Sequence, residues 1–460
     1  MSEFRGRIAE LDILQKKFDT DGFQMIVIYG RRRIGKTELM NEFMRRQKCK
    51  TVSFTAVEQS EKDLLSIMTE TVLASLAPEL MDMVSFPDFE KLFEFIGKKA
   101  KEERIVFFID EYPYLAKQCP YIHSVLQKTI DKVWKKTKLY FVLCGSLVAF
   151  MKDEVLAESA PLHGRTTLEF RLHPFDYRDT ALFVPKYTSE EKAIVYGLTN
   201  GVAKYIEQFD PSKSLKQNII EEYFSFGGYF TEEQVKTIVT NEKQNPALYN
   251  SIVSAIATGH TKNNEIASCV GMDDITYPLK VLQKAEIIER RIAGGPYYVI
   301  NDSMLVFWFK YVNRAISLIN AGKGEKYFKD CVEKQIHGFM GGVFEKMCKE
   351  YLFKKAGEAF YPIVTEIENY QRTILDENGK QKQIEIDILG KNGKKICIIG
   401  ECKFQNEEVD KDDFDQFMEK VRSIDAKKPF VCFFSLSGYT KYVIDNSEGV
   451  QLLTIEDLYL

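Results

Sequence analysis

Residues 24 to 39 read QMIVIYGRRRIGKTEL: an apolar run, a glycine, three arginines, then a second glycine followed by lysine and threonine. Gly30-Arg31-Arg32-Arg33-Ile34-Gly35-Lys36-Thr37 fits the pattern G-x-x-x-x-G-K-[ST] and stands between an apolar strand and the helical stretch TELMNEFMRR. The glycines let the backbone curl so that its N–H groups face a phosphate, and the helix N-terminus adds partial positive charge. Lys36 is expected to reach the β- and γ-phosphates of a nucleoside triphosphate, and Thr37 to offer its hydroxyl to Mg²⁺.

Working outward, further apolar runs follow at 51–56 (TVSFTA), 104–111 (RIVFFIDE), 139–146 (LYFVLCGS) and 167–172 (TLEFRL), alternating with amphipathic helical stretches. Four of the five runs, counting 24–30, are nearly continuous apolar, as strands covered on both faces are. The alternation predicts a doubly wound α/β domain over residues 1–190. Asp110 and Glu111 end the third run: Asp110 is placed to hold Mg²⁺, and Glu111 to polarise the water that attacks ATP. Ser146, ending the fourth run, could touch the γ-phosphate or that water, and Arg165 in PLHGRTT could act as an arginine sensor.

The chain has 460 residues, too many for one hydrophobic core, so two to four domains are expected. Its net charge of -4 means that any contact with nucleic acid must come from local basic patches. The opening MSEFRGRIAELDILQKKF has no signal-like apolar core, and no run approaches the roughly 20 apolar residues of a membrane span, so a cytoplasmic location without membrane contact is expected. The nine cysteines show no Cys-x-x-Cys spacing and read as reduced, mostly buried thiols.

Beyond residue 190 the pattern turns helical, and 191–245 reads as a helical lid. Residues 246–322 show three short helices, a Gly-containing turn and a β-ribbon, the order of a winged helix-turn-helix. Its presumed recognition helix begins near Asp273 and Asp274, where acids repel phosphate, so a structural role is favoured, with Glu289-Arg290-Arg291 keeping a minor backbone contact open. Residues 323–460 form the last unit: helix GGVFEKMCKEYLFKKAG, a strand with Asp387, a strand with Glu401-Cys402-Lys403, helix KDDFDQFMEKVRSI, strand PFVCFFSL and the final VQLLTIEDLYL.

FRGRIAEL (Phe4, Arg7, Glu10), YGRRRIGKTEL, FFIDEYPYL, GSLVAFM and PLHGRTTLEFRLHPF give the chain a resemblance to the archaeal-type P-loop ATPases of the STAND/AAA-related class, many of which carry a C-terminal nuclease-like domain. The resemblance implies ATP and Mg²⁺ as cofactors, an opening segment that helps enclose the adenine, and a role in defence or DNA processing. A Gly-Gly-x-Pro motif of that class corresponds here to Asn200-Gly201-Val202-Ala203, without the proline. The last unit resembles the PD-(D/E)xK nuclease fold, without its proline, since Ile386 precedes Asp387. In that fold two acids, here Asp387 and Glu401, bind Mg²⁺, and the lysine, here Lys403, stabilises charge or orients the attacking water. Glu345 and Gln416 match helix positions that some members use.

Such a site requires Asp387 on the strand face of Glu401 and Lys403. A two-residue turn closed by Lys391 and Lys394 would put Asp387 opposite Ile398, on the wrong side. A three-residue turn with Gly393 left-handed in a bulge pairs Gly390 with Lys394 and puts Asp387 opposite Cys397, in line with Glu401. It also gathers Ile384, Ile386 and Ile388 with Ile396, Ile398, Cys402 and Phe404 on a core side, so convergence of the acids is expected. The whole reads as an ATP-hydrolysing switch with a Mg²⁺-dependent nuclease acting on DNA. The alternative is a nucleotide-regulated DNA- or protein-binding regulator whose nuclease-like domain does not cleave, and a homo-oligomer is left open.

Overall fold

The structure is a computed structural model, and it describes residues 4–81, 83–231, 245–292, 295–375 and 381–460. Part of the expected lid, 232–244, lies outside the described residues. The chain divides into two units, one running to Phe175 and taking in Val202–Lys204, the other comprising Asp176–Gly201 and Tyr205–Leu460.

In the first unit the strands β1 (Gln24–Tyr29), β2 (Lys50–Thr55), β3 (Ile105–Asp110), β4 (Leu139–Gly145) and β5 (Leu168–Arg171) form one sheet in the order β2-β3-β4-β1-β5. Every pairing in it is parallel. Every residue of β3 and β4 is buried, which explains their continuous apolar sequence: such strands have no solvent face to mark with polar residues. The helices α1 (Ile8–Phe18), α2 (Lys36–Arg46), α3 (Glu61–Leu76), α4 (Phe89–Glu102) and α5 (Ile122–Lys132) belong to this unit. Trp134 anchors its core among Phe93, Phe107 and Phe141, its indole N–H donating to the Phe93 carbonyl at 2.9 Å. Because β1 and β3 run parallel, Lys36, at the start of α2, and Asp110, the last residue of β3, lie at the same carboxyl edge of the sheet.

The second unit begins at Asp176 rather than at the expected boundary of 190. The reason is packing: Tyr196, on α6 (Ser189–Thr199), donates to Glu350 at 3.0 Å, and Arg178 donates to the Leu458 carbonyl at 2.9 Å, so residues 176–201 belong with the C-terminal residues. Among the described residues, α7 (Leu215–Phe224) is followed by the helices α8 (Pro246–Ala257), α9 (Asn263–Val270) and α10 (Thr276–Lys284) and by an antiparallel ribbon of β6 (Ile288–Ile292) and β7 (Pro296–Ile300).

The last part is a five-stranded sheet ordered β12-β11-β10-β9-β8. Its strands are β8 (Glu366–Leu375), β9 (Gln381–Asn392), β10 (Lys395–Lys403), β11 (Phe430–Ser435) and β12 (Val450–Thr454). The β8–β9 and β9–β10 pairings are antiparallel, and the β10–β11 and β11–β12 pairings are parallel. Helix α11 (Ile336–Lys355) packs on β9 and β10, and α12 (Lys411–Ser423) packs on β9. Along β10 the alternation sorts side chains by helix: Phe404 stacks edgewise on Phe344 of α11, while Glu401 and Lys403 meet α12.

The β9–β10 turn differs from both expected forms. Asn392 pairs with Lys395, so the turn is two residues, Gly393 and Lys394, one step beyond the Lys391–Lys394 closure. Gly393 has φ 61, and Lys394 is not left-handed, the arrangement that puts glycine first in a II′ turn. The bulge sits inside the strand instead: Ile396 pairs with Lys391 and Ile398 with Gly390, leaving Cys397 as the extra residue. Beyond it Ile399 pairs with Leu389 and Gly400 with Ile388, and Asp387 follows at an irregularity in β9, where its carboxylate accepts the Cys402 N–H. Ile384 and Ile386 do not share the face of Cys402 and Phe404 as expected: β9 has an irregularity of its own, Glu368 pairing with Leu389 and Tyr370 with Ile386, and it puts Ile384 and Ile386 in one core with Leu389, Ile396, Ile399 and Phe414.

Candidate functional site

Two groups of residues carry chemistry. The first lies at the loop after β1. Gly30 has φ 156 and Gly35 φ 91, and a Cβ on Gly30 would stand 2.4 Å from the Leu172 carbonyl oxygen, so only glycine fits at the loop's entry. Arg33 is left-handed at φ 69. Lys36, the first residue of α2, is buried, and its ammonium donates to the Gly30 carbonyl at 2.9 Å and the Arg31 carbonyl at 2.8 Å, folding back along the loop as a phosphate-binding lysine does. Ile34 is buried and packs the loop down, and Arg32 reaches the Tyr114 hydroxyl and Ser146.

Thr37 donates its hydroxyl to Asp110 at 2.6 Å. Two oxygen donors thus meet at the start of α2, a hard pair that suits Mg²⁺, whose remaining positions water and phosphate oxygens would fill. Asp110 also accepts the N–H of Glu111, whose backbone is left-handed at φ 49. Glu111 in turn accepts from both the hydroxyl and the N–H of Ser146, at 2.7 and 3.3 Å. Arg32, Lys36, Thr37, Asp110, Glu111 and Ser146 are therefore linked around one loop.

Arg165 is not. Its guanidinium donates to Asp131 on α5, at 2.5 Å for the shortest bond, and to the carbonyls of Pro161 and His163. This ion pair holds Asp131 below the usual carboxylate range. The guanidinium expected as a sensor thus bonds to α5 and its own loop. A residue expected near the adenine has a second task. Buried Arg7, left-handed at φ 60, donates to the carbonyls of Ile34 at 3.0 Å and His173 at 2.7 Å and lies 4.1 Å over the Phe175 ring, bracing the phosphate loop from behind.

The second group is the acid pair. Asp387 accepts the N–H of Cys402 at 2.9 Å, which fixes its carboxylate beside β10. Glu401 is 6 % exposed; its Oε1 accepts from Lys420 of α12 at 2.6 Å, and its Oε2 is buried with no hydrogen-bond partner. Burial and the neighbouring Asp387 charge push Glu401 up to about 7, and burial raises Asp387 as well. Glu345 on α11, also raised by burial and by Asp387, accepts from Asn369 at 2.8 Å. Lys403 departs from expectation: its ammonium pairs with Asp413 at 3.1 Å, not with the acids, because α12 presents a carboxylate closer to it. Gln416 is exposed.

Among the described residues no group of three or more His, Cys, Asp or Glu is arranged as a metal ligand set. The acid pair still fits a hard cation by its chemistry, two carboxylates with one buried oxygen left unbonded, and Mg²⁺ commonly takes one or two carboxylates from the protein and fills its shell with water and phosphate.

The parallel sheet, the glycine loop on its interior strand and the Thr37–Asp110 contact define a P-loop ATPase. A family described as ATPase domains predominantly from Archaea matches residues 4–209, and DUF234, described as archaeal and bacterial proteins of unknown function, matches 308–415. Protein MJECL04 of Methanocaldococcus jannaschii is 30 % identical over 362 residues, spanning 76 % of this chain and 77 % of its own. The ATP-binding protein MJ0423 of the same organism is 40 % identical over 50 residues, 11 % of this chain and 85 % of its own. The chain belongs to the archaeal-type ATPase family. Among solved structures, the Walker-type ATPase paby2304 of Pyrococcus abyssi superposes with a TM-score of 0.49 at 16 % identity, covering 67 % of this chain and 96 % of that one. At these values the likeness does not bear on function. No described helix is long and apolar enough to cross a membrane.

Proposed function

We propose that the chain is an ATP-hydrolysing switch whose second unit carries a Mg²⁺-dependent, nuclease-like site acting on DNA. At the first site Lys36 and the loop N–H groups hold the phosphates, and Thr37 and Asp110 hold Mg²⁺, which would neutralise charge between the β- and γ-phosphates. Glu111, aligned by Ser146, takes the proton of the attacking water. The helices α8–α10 with the β6–β7 ribbon read as a winged helix, and the mixed sheet flanked by α11 and α12 as a PD-(D/E)xK-like domain.

The observation that supports the nuclease reading is the bond from the Cys402 N–H to the Asp387 carboxylate at 2.9 Å, one residue from the buried Glu401. Incubation of the purified protein with supercoiled plasmid, ATP and Mg²⁺ or Mn²⁺ tests it: nicking that disappears in Asp387→Ala supports the proposal, and an intact plasmid under every condition removes it. The ion pairs that engage Glu401 and Lys403 favour a second reading, a nucleotide-regulated DNA- or protein-binding regulator that does not cleave. Retention of plasmid by the uncleaving wild type, dependent on ATP, would mark that case.

A further inference from the structure

We propose that Lys420 on α12, rather than Lys403 on β10, is the lysine that serves the acid pair; this rests on the nuclease reading given above. Both lysines lie within reach of β10, and the structure assigns them differently. Lys403 follows Glu401 by two residues on the same strand face, yet its ammonium is taken by Asp413 at 3.1 Å. Lys420 donates to Glu401 Oε1 at 2.6 Å. Seven residues separate Asp413 from Lys420, two helical turns, so both project from the same side of α12 and meet β10 in crossed pairs.

The position of Lys420 is held firmly. Phe417, one turn before it, is buried and packs edgewise on Phe433 of β11 at 5.0 Å, and Phe414 is buried a turn earlier. The Lys420 side chain is 27 % exposed, so its head group is open to a substrate as the buried Glu401 carboxylate is not. Glu401 keeps Oε2 unbonded on the side Lys420 does not occupy, leaving one carboxylate oxygen for a cation while the other holds the ammonium in place. A phosphodiester brought to the pair would meet that ammonium.

The step Lys420 would assist is hydrolysis and moves no electrons between centres. A water oxygen bonds to phosphorus, the bond from phosphorus to the leaving sugar oxygen breaks, the water gives up a proton to solvent, and the leaving oxygen takes one. Negative charge builds on the phosphate oxygens as the new bond forms, and a fixed ammonium beside them offsets it. The competing view is that the crossed pairs only clamp α12 to the sheet. In that case Lys420 and Lys403 would matter equally, and through stability alone.

The test uses the full chain, supercoiled plasmid with Mg²⁺ or Mn²⁺, Mn²⁺ titration calorimetry and thermal melting. Lys420→Met should lose cleavage by about 10²-fold or more, the scale of removing a positioned catalytic group, while binding Mn²⁺ at least as tightly as wild type, since a competing positive charge is gone. Lys403→Met should keep most of the cleavage, and Lys420→Arg, which retains the charge and the pair, should recover part of it. Loss of cleavage in Lys403→Met with Lys420→Met active would overturn the inference and leave the nuclease reading standing. Equal losses in both variants, tracking lowered melting and weakened Mn²⁺ binding, would reduce the pairs to a clamp. Should Lys420→Met not fold, Lys403→Met alone decides: an inactive but folded variant sinks the proposal. A wild type that binds Mn²⁺ and cleaves nothing removes the nuclease reading itself.

Discussion

Replacing Glu111 by glutamine isolates one property of the first site. The left-handed backbone at this residue costs about 1–2 kcal/mol for any side chain other than glycine, and glutamine inherits that cost unchanged. Its carbonyl oxygen can still accept the Ser146 hydroxyl bond that Glu111 accepts at 2.7 Å. What disappears is the carboxylate's capacity to take a proton from water. The variant should therefore melt close to wild type and bind ATP as well, since Lys36, Thr37 and Asp110 are untouched. Loss of a general base typically costs about 10²–10⁴-fold in rate, or roughly 2.7–5.4 kcal/mol of barrier at 1.36 kcal/mol per tenfold. Steady-state phosphate release and binding of a fluorescent ATP analogue measure the two quantities separately, and Lys36→Ala, expected to lose binding itself, is the control. Turnover within a few-fold of wild type would refute the role given to Glu111, as would loss of nucleotide binding.

Arg165→Ala should leave ATP turnover by the isolated chain unchanged, because the guanidinium is engaged by Asp131; a large drop in phosphate release would return it to the nucleotide site. Glu401 titrates near 7 in the folded protein against 4.5 ordinarily, so between those values the native state holds a proton that the unfolded chain has released, and stability falls as pH rises through this window. Glu401→Gln removes that slope: its melting temperature relative to wild type should be higher at pH 8 than at pH 5, and an equal difference at both would show that the carboxyl is not raised. Deleting Cys397 should leave plasmid cleavage intact if the bulge only accommodates an extra residue, since Ile396–Lys391 and Ile398–Gly390 already flank it as successive pairs; loss of cleavage with retained fold would give Cys397 a direct part in the site.

The ATPase sheet was legible because its three interior strands are buried on both faces, which turns a three-dimensional property into a one-dimensional one: unbroken apolar runs ending in Gly30, Asp110 and Ser146. The acid hairpin was legible neither by turn nor wholly by face. The order x-Asn-Gly-Lys is compatible with several closures, packing moved one irregularity from the turn to Cys397, and a second in β9 breaks the alternation between Ile386 and Leu389, which share one core. Strand β8 escaped notice because an edge strand with no fully buried residue from Glu366 to Tyr370 leaves no apolar alternation to read. Lys420 and Arg7 escaped for another reason. Nothing local distinguishes one helix lysine from the next, and only the packing of α12 puts Lys420 beside Glu401. Arg7 needs a left-handed backbone before its guanidinium can brace the loop, a conformation no spacing announces.

The short return of Val202–Lys204 to the first unit bears on what can be cut out of this protein. A fragment ending at Phe175 would contain every strand of the ATPase sheet and all its phosphate-binding residues. It would nonetheless lack the N–H of Lys204 that bonds the Arg33 carbonyl at 3.1 Å, and Ala203, whose methyl group lies against Gly35. The loop that should grip a nucleotide would then be missing a strap supplied from later in the chain. The archaeal ATPase family match runs on to residue 209, past this return, so the heritable module is longer than the sheet that gives it its shape. A transplantable ATPase cassette must carry α6 with it, although α6 packs with the other unit; in this architecture the portable piece and the compact piece are different lengths of chain.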